Sequence, residues 1–373
     1  MGNGEKLNAQ NNKSTLTPIF HLVGEGLMTV LLRTFIAIIL LLSGIGCGRL
    51  SDTIVAIALH PRNPNIIYVA TNESLYKSRD SGATWSKVTT DLSSFRVLTL
   101  GVDPWSPANI FAGTMGDAVY KSHDGGQSWL PHNAGLKEHV SVVNQFVFHP
   151  SDPDTIYTAT TVGIFRSTDG GRLWIERMHG MKEVHYVVTI AIDPHNPDVM
   201  YAGTTGGVYK TTDGTANWQL VNNGLIPKEK LDAAMALKVN TLVTDPMRPG
   251  TVYAGTTSGL FKTVDAGASW KRIEKGLADT YISVLLIDPS NPAVLYAGTR
   301  KGVQKTTDGG ETWANATQGL TTLNIRSMAI SPLDPQILFA GTNGSGLFRS
   351  LDGAKSWRAV PLTPHASPSQ PKA

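Results

Sequence analysis

Cysteine is nearly absent: Cys47 stands alone among 373 residues, which excludes an intrachain disulfide framework and any thiol cluster for a metal. Charge of one sign is also lacking. The net value is +3 and no Lys/Arg run is long enough to leave an electrostatic footprint, so nucleic acid is not an expected partner. The chain has no phosphate-cradling glycine loop, no Ser-His-Asp spacing and no metal-ligand cluster, so no cofactor is expected. Long apolar runs are missing apart from one, 27–45, interrupted by Arg33. What the chain has in quantity is 37 glycines and 21 prolines, the makings of a turn-rich fold held by packing alone.

It also has a refrain. The phrase Ser/Thr-x-Asp-x-Gly-x-Ser/Thr-Trp occurs seven times, opening at Ser78, Ser122, Ser167, Thr211, Thr263, Thr306 and Ser350. Its aspartates are Asp80, Asp124, Asp169, Asp213, Asp265, Asp308 and Asp352. Its tryptophans, Trp85, Trp129, Trp174, Trp218, Trp270, Trp313 and Trp357, are seven of the eight in the chain. From one to the next the steps are 44, 45, 44, 52, 43 and 44 residues. A fixed period of that length marks stacked supersecondary units, none able to bury its apolar face alone.

Within a period the apolar segments are short, β-branched and aromatic, and Asp-Pro, Asn-Pro, Gly-Thr and Asp-Gly turns bound them, so they read as strands. Four fit per unit; in the second unit they are expected at 97–103, 109–114, 118–122 and 129–132. Ile54, Val97, Val143, Val187, Val239, Ile282 and Ile325 form one column of the inner strand. Tyr68, Phe111, Tyr157, Tyr201, Tyr253, Tyr296 and Phe339 open the second strand. Four short antiparallel strands repeated radially make a propeller blade, so the expected fold is an all-β, seven-bladed propeller over 53–360. An open stack would leave two raw apolar faces, which a ring closed by packing between the last and first blades avoids.

The N-terminal 50 residues differ in kind. Segment 28–47 reads as a short basic region, an apolar core and small residues before Cys47, the pattern of a secretory signal. Cys47 at that boundary resembles the acylated cysteine of bacterial lipoproteins, with Gly44 where that signal has Leu. The other reading is a retained membrane anchor, since 19 residues can just span about 30 Å of hydrocarbon. Either way the repeats are expected outside the cytoplasm and membrane-anchored. The polar residues 1–27 are then a mis-set start or a cytoplasmic extension, and the Pro- and Ser-rich tail 361–373 is expected to be disordered.

The repeated phrase resembles the Asp-box, or BNR repeat, of sialidases, sortilin-type receptor domains, xyloglucanases and photosystem II assembly factors, and it covers 53–360. That resemblance implies a tight hairpin between the third and fourth strands at the blade periphery. Physically, Asp accepts from amides of its own turn, Gly supplies positive φ, and the indole drops between blades. Seven equivalent rim aspartates make a scaffold, because an active site needs unlike residues converging on one point. A base precedes each box, at Lys77, Lys121, Arg166, Lys210, Lys262, Lys305 and Arg349, and is expected to pair locally with Asp103, Asp193, Asp245 and Asp288.

Function should lie where the repeats disagree. On the face formed by loops entering the inner strands, the candidates are Arg96, Tyr186, Lys238, Tyr281 and Asn324, with His139, His185, Arg300, Lys301 and Arg326 around them. That set is basic and aromatic, the composition of a recognition surface. The one long step places an insertion, 226–235, on the same face as a short helix or lid. For the sialidase activity, the Phe-Arg-Ile-Pro motif is absent and the blade count is seven rather than six. Xyloglucanases resemble the repeat text more closely but join two propellers around the polysaccharide. A glycosidase needs two carboxylates roughly 5–10 Å apart, and the candidates Glu73, Asp117, Glu138, Glu183 and Asp279 offer no pair picked out by spacing. The expectation is a non-catalytic platform for a protein or peptide client on the channel face, with a carbohydrate-active hydrolase or glycan-binding module as the alternative.

Overall fold

The computed structural model describes residues 53–88, 92, 96–136, 140, 142–181, 186–225 and 237–362. Cys47 with the segment 28–47, His139, His185, the insertion 226–235 and the tail beyond Leu362 lie outside those residues. The described residues form 28 strands in seven four-stranded antiparallel sheets, each built from consecutive strands. Blade one is β1 (Ile54–Leu59), β2 (Ile67–Thr71), β3 (Leu75–Ser78) and β4 (Ser86–Val88), and the order repeats to the outermost strand of blade seven, Arg358–Val360. Blade two has Arg96–Val102, Ile110–Met115, Val119–Ser122 and Leu130–Pro131, within a residue or so of expectation. The aromatic column is the second residue of its strand, because an apolar residue such as Ile67 or Ile110 pairs ahead of it.

Every second strand is buried along its whole first five residues, Ile67–Thr71 for example. Both of its faces meet neighbouring blades, so polar alternation has no place there. Seven apolar clusters result, one per seam. Six of them join an apolar third-strand residue to the third-strand aromatic of the next blade, for example Ile164 with Tyr209, Val208 with Phe261 and Val303 with Phe348, and only blade six has Gln304 in the aromatic's place. Near the axis the blades approach so closely that a Cβ on Gly113, Gly203, Gly255, Gly298 or Gly341 would lie 2.6–2.8 Å from the next blade's Val/Ile column. That spacing explains the recurring Ala-Gly-Thr, and Ala70 and Ala159 are the largest residues at this position.

The ring closes without an exchanged strand. Ile54, Ile67 and Trp85 of blade one pack with Phe339, Leu347 and Val360 of blade seven. Ser327 Oγ donates to the Ile54 carbonyl at 3.1 Å, and Arg349 Nη1 to the Ser81 carbonyl at 2.6 Å.

Each Asp-box is the peripheral hairpin expected of it. In the first, Asp80 Oδ1 accepts from the Thr84 amide at 2.8 Å and Oδ2 from the Thr84 hydroxyl at 2.5 Å, while the Ser78 hydroxyl accepts from the Gly82 amide at 2.8 Å. The indoles are 1–5 % exposed. Several cross the seam: Trp174 Nε1 donates to the His132 carbonyl at 2.9 Å, Trp218 to Arg177 at 3.0 Å and Trp270 to Val221 at 2.7 Å. A strap after the outer strand completes five of the joints, with the amides of Trp174, Trp218, Trp270, Trp313 and Trp357 donating to Ala134, His179, Asn223, Lys275 and Gln318 of the preceding blade.

The base column corrects one expectation. These side chains do not pair with the Asp-Pro carboxylates; they lie over the second-strand aromatics, Lys77 Nζ 5.2 Å from the Tyr68 ring and Lys262 Nζ 5.3 Å from Tyr253. They then donate to the next blade's box carbonyls, Lys77 to Gly125 at 2.6 Å, Lys121 to Gly170 at 2.8 Å and Lys305 to Gly353 at 2.8 Å. Burial holds these lysines below their ordinary pKa. The carboxylates instead cap their own turns, Asp103 Oδ1 accepting from the Trp105 and Ser106 amides and Asp245 Oδ1 from Met247 and Arg248. A partner one blade away is preferred because it satisfies a carbonyl that the turn itself leaves open.

The boxes set the acid limit of the fold. Hydroxyl, amide and backbone donors, led by the side chains of Thr84, Asn217, Ser269 and Ser356, hold Asp80, Asp213, Asp265 and Asp352 at about 2. A folded value below the unfolded one, near 4, contributes stability above the latter that is lost as pH falls toward the former. The melting temperature should therefore be flat above about pH 5 and fall steeply between about pH 4 and pH 2. A melting curve unmoved across that acid window, monitored by circular dichroism, would count against these bonds.

Candidate functional site

All seven inner strands carry a bulge directly after their first Val/Ile residue. The register with the second strand skips Val55, Leu98, Asn144, Val188, Asn240, Ser283 and Arg326. A bulge leaves one residue unpaired and re-aims its side chain. Here the skipped residues line the central channel, a cavity of 670 Å³ shared with Lys238, Tyr281, Arg300, Asn324, Ile325 and Asn343.

The ring is chemically lopsided. Blades one, two and four contribute the apolar side chains Val55, Leu98 and Val188. Blades three, five and six contribute groups that secure the next blade: Asn144 Nδ2 donates to the Val187 carbonyl at 2.7 Å, Asn240 Nδ2 to Ile282 at 2.8 Å and Ser283 Oγ to Ile325 at 2.7 Å. Blade seven contributes Arg326, whose side chain is ringed by channel walls while remaining open to the water within. That enclosure, and then the field of Arg96, lowers its pKa.

Arg96, half-buried, donates through Nη2 to Asn72 Oδ1, and its Nε is buried without a hydrogen-bond partner. Arg300 forms a bidentate pair with Asp279, 3.0 Å from Nε to Oδ2 and 2.9 Å from Nη2 to Oδ1, and lies 4.9 Å over the Tyr281 ring. The guanidinium holds the Asp279 carboxyl below its usual range, and the Tyr281 amide adds a further bond to Oδ1 at 3.1 Å. Planar charge, planar carboxylate and ring together fix the mouth of blade six.

Of the residues expected on this face, Lys238, Tyr281, Arg300, Asn324 and Arg326 converge on the channel, with Arg96 beside them. Tyr186, half exposed, and Lys301, exposed, are outside the lining. The bulge column itself, Arg326 apart, was not expected. Its signal was present six residues before the first proline of each unit, as a position that mixes Val, Leu, Asn, Ser and Arg beside an invariant Val/Ile neighbour.

The described glycosidase candidates do not gather there. Glu73 lines a separate groove between blades seven and one, Asp117 accepts from the Tyr120 hydroxyl at 2.5 Å, and Asp279 is engaged by Arg300. Glu138 and Glu183 lie outside the described residues. Among the described residues, no group of three or more His, Cys, Asp or Glu is arranged to hold a metal.

Known proteins share parts of this chain and most of its architecture. The Sortilin-Vps10 family model (sortilin, neurotensin receptor 3) matches residues 73–162. A xyloglucanase of Hypocrea jecorina (strain QM6a) is 38% identical over 82 residues, 21% of this chain and 10% of that protein. The chain thus spans only a tenth of that relative. Among solved structures, the GH74 xyloglucanase from Xanthomonas campestris superposes with a TM-score of 0.64 at 17% identity, over 83% of this chain and 54% of that one. YCF48 bound to D1 peptide superposes with a TM-score of 0.59 at 16% identity, over 81% of this chain and 94% of that one. At such identities the likeness is one of fold.

Proposed function

We propose that this chain is an exported, membrane-anchored propeller that works by binding, with the channel mouth receiving a segment of a protein or peptide client. The observation that carries the reading is the lining itself: Arg326, Arg300 and Lys238 with Tyr281 and the amides of Asn324 and Asn343 around a preformed opening, and no acidic side chain in the described lining beside them. Rigid aromatic and guanidinium groups at a concave centre are what polypeptide recognition uses. A protein of similar fold bound to a peptide has a precedent in YCF48 bound to D1 peptide. Export and anchoring rest on the apolar segment 27–45 and on Cys47.

The alternative, a glycoside hydrolase or glycan-binding module, is favoured by the 38% identity to a xyloglucanase over 82 residues. One experiment separates them. A photoreactive residue is placed at Tyr281 in the full chain, irradiated in the native membrane fraction, and the adducts are analysed for peptide and for glycan. A discrete polypeptide adduct is the expected result. Adducts carrying glycan without peptide would transfer the reading to the carbohydrate class.

A further inference from the structure

Two guanidinium groups share one side of the channel with no counter-charge among the described residues. Bases elsewhere are engaged: the rim column is held by box carbonyls and aromatic rings, and Arg300 by Asp279, while Lys238 shares the channel lining. Among the described residues Arg326 has no such partner, and Arg96 spends one nitrogen on Asn72 while its Nε stays buried and unbonded. Like charges brought near one another inside walls that exclude part of their solvent repel, and that repulsion opposes folding. Because the scaffold does not need this arrangement, with six other blades filling the Arg326 position with Val, Leu, Asn or Ser, the pair points outward to a ligand.

We propose that the channel is an anion subsite in which Arg326 and Arg96 together hold a carboxylate of the bound segment. This rests on the reading of the mouth as a polypeptide site and names the chemistry that site selects. A guanidinium offers paired donors in a plane that matches the two oxygens of a carboxylate. The facing side suits the atoms that flank a carboxylate in a polypeptide. Asn144 and Asn240 commit their amide nitrogens to neighbouring carbonyls, which leaves their oxygens as acceptors, and Val188 between them is apolar, while Val55 and Leu98 lie on the side of the two arginines. A carboxylate bordered by backbone amides and an apolar side chain satisfies all three. It comes either from an Asp or Glu side chain or from a free C-terminus.

The test uses the full chain with Arg326→Gln, Arg326→Lys and Arg96→Gln variants. Without ligand, either Gln variant is expected to raise the melting temperature by about 2 °C, the shift for relief of roughly 1 kcal/mol of repulsion in a domain of this size. Saturating succinate is expected to stabilise the parent and to leave Arg326→Gln unmoved. The Tyr281 photoadduct should fall about tenfold in Arg326→Gln, the loss for one charge-assisted contact, and recover in part in Arg326→Lys. Two short acetylated peptides then identify the source, one amidated with an internal Asp, the other lacking Asp but ending in a free carboxylate. Competition by either and not by its uncharged counterpart supports the subsite.

Gln variants that melt lower than the parent, or succinate acting equally on parent and Arg326→Gln, would overturn it. So would a photoadduct formed equally well without Arg326, an outcome that leaves the platform reading standing. Loss of the polypeptide adduct from the parent itself, with succinate stabilisation intact, would remove the platform reading and with it the claim that the carboxylate belongs to a segment.

Discussion

Trp218→Ala is expected to destabilise the ring by about 3–5 kcal/mol, the cost of truncating a buried aromatic. The indole is 2 % exposed, packs with Ile164, Met181 and Tyr209 across the seam between blades three and four, and donates to the Arg177 carbonyl at 3.0 Å. Truncation removes the apolar contacts and leaves that carbonyl without its partner, so transfer and hydrogen-bond terms add. Trp105 is the internal control. It stands outside the repeated phrase, is 40 % exposed, and its indole makes one bond, to the His149 carbonyl at 3.2 Å. Its replacement by Ala should cost only about 1 kcal/mol. Chemical denaturation of the two variants decides the point. Equal losses would mean that the box indoles do not seal the seams.

The second large effect is expected from a single methyl group. Gly180, in the strap after blade three, has φ of +90°, and a Cβ there would lie 2.2 Å from the Trp218 carbonyl oxygen. Gly135, Gly224, Gly276 and Gly319 face the same carbonyl of their own next blade at 2.1–2.2 Å. Gly180→Ala therefore combines left-handed backbone strain with a backbone clash that no rotamer relieves, and the strap must leave its seat. The expected loss is about 3 kcal/mol or more. Gly344→Ala separates the two causes, because Gly344 has φ of +103° but nothing within 4 Å of its Cβ position. It should cost only about 1–2 kcal/mol. Matching losses in the two variants would show that strain alone governs the strap.

The tryptophan period and the turn residues made the ring readable from sequence, because each unit is a local object whose four strands are consecutive. Closure by packing was readable too, since Thr53 begins a repeat and Val360 ends one. What escaped was contact across a seam. Lys77 lies directly before its own Asp-box, yet it donates to Gly125, 48 residues on. Local spacing favours a carboxylate partner for such a base, and only the mutual placement of blades reveals the carbonyl. The channel lining escaped for another reason. A strand with unbroken period-two alternation sends its second residue to a sheet face and so toward a neighbouring blade, whereas the bulge at Val55, Leu98 and their equivalents aims it at the axis. Arg96, Lys238, Tyr281 and Asn324 were legible because that position differs between blades. Two residues later the chain varies as well, and Asn144 and Asn240 stand there.

Closure by surface contact alone has an evolutionary corollary. The joint between blades seven and one uses the same Gly341-to-Ile54 approach that Gly203 makes to Val239 elsewhere, so the fold keeps no record of which module is translated first. Duplication, loss or rotation of whole modules within a gene changes the roster of side chains around the axis while each joint is rebuilt from the same parts. Lineages can in this way change the side chains that line the opening while keeping the wheel that carries them.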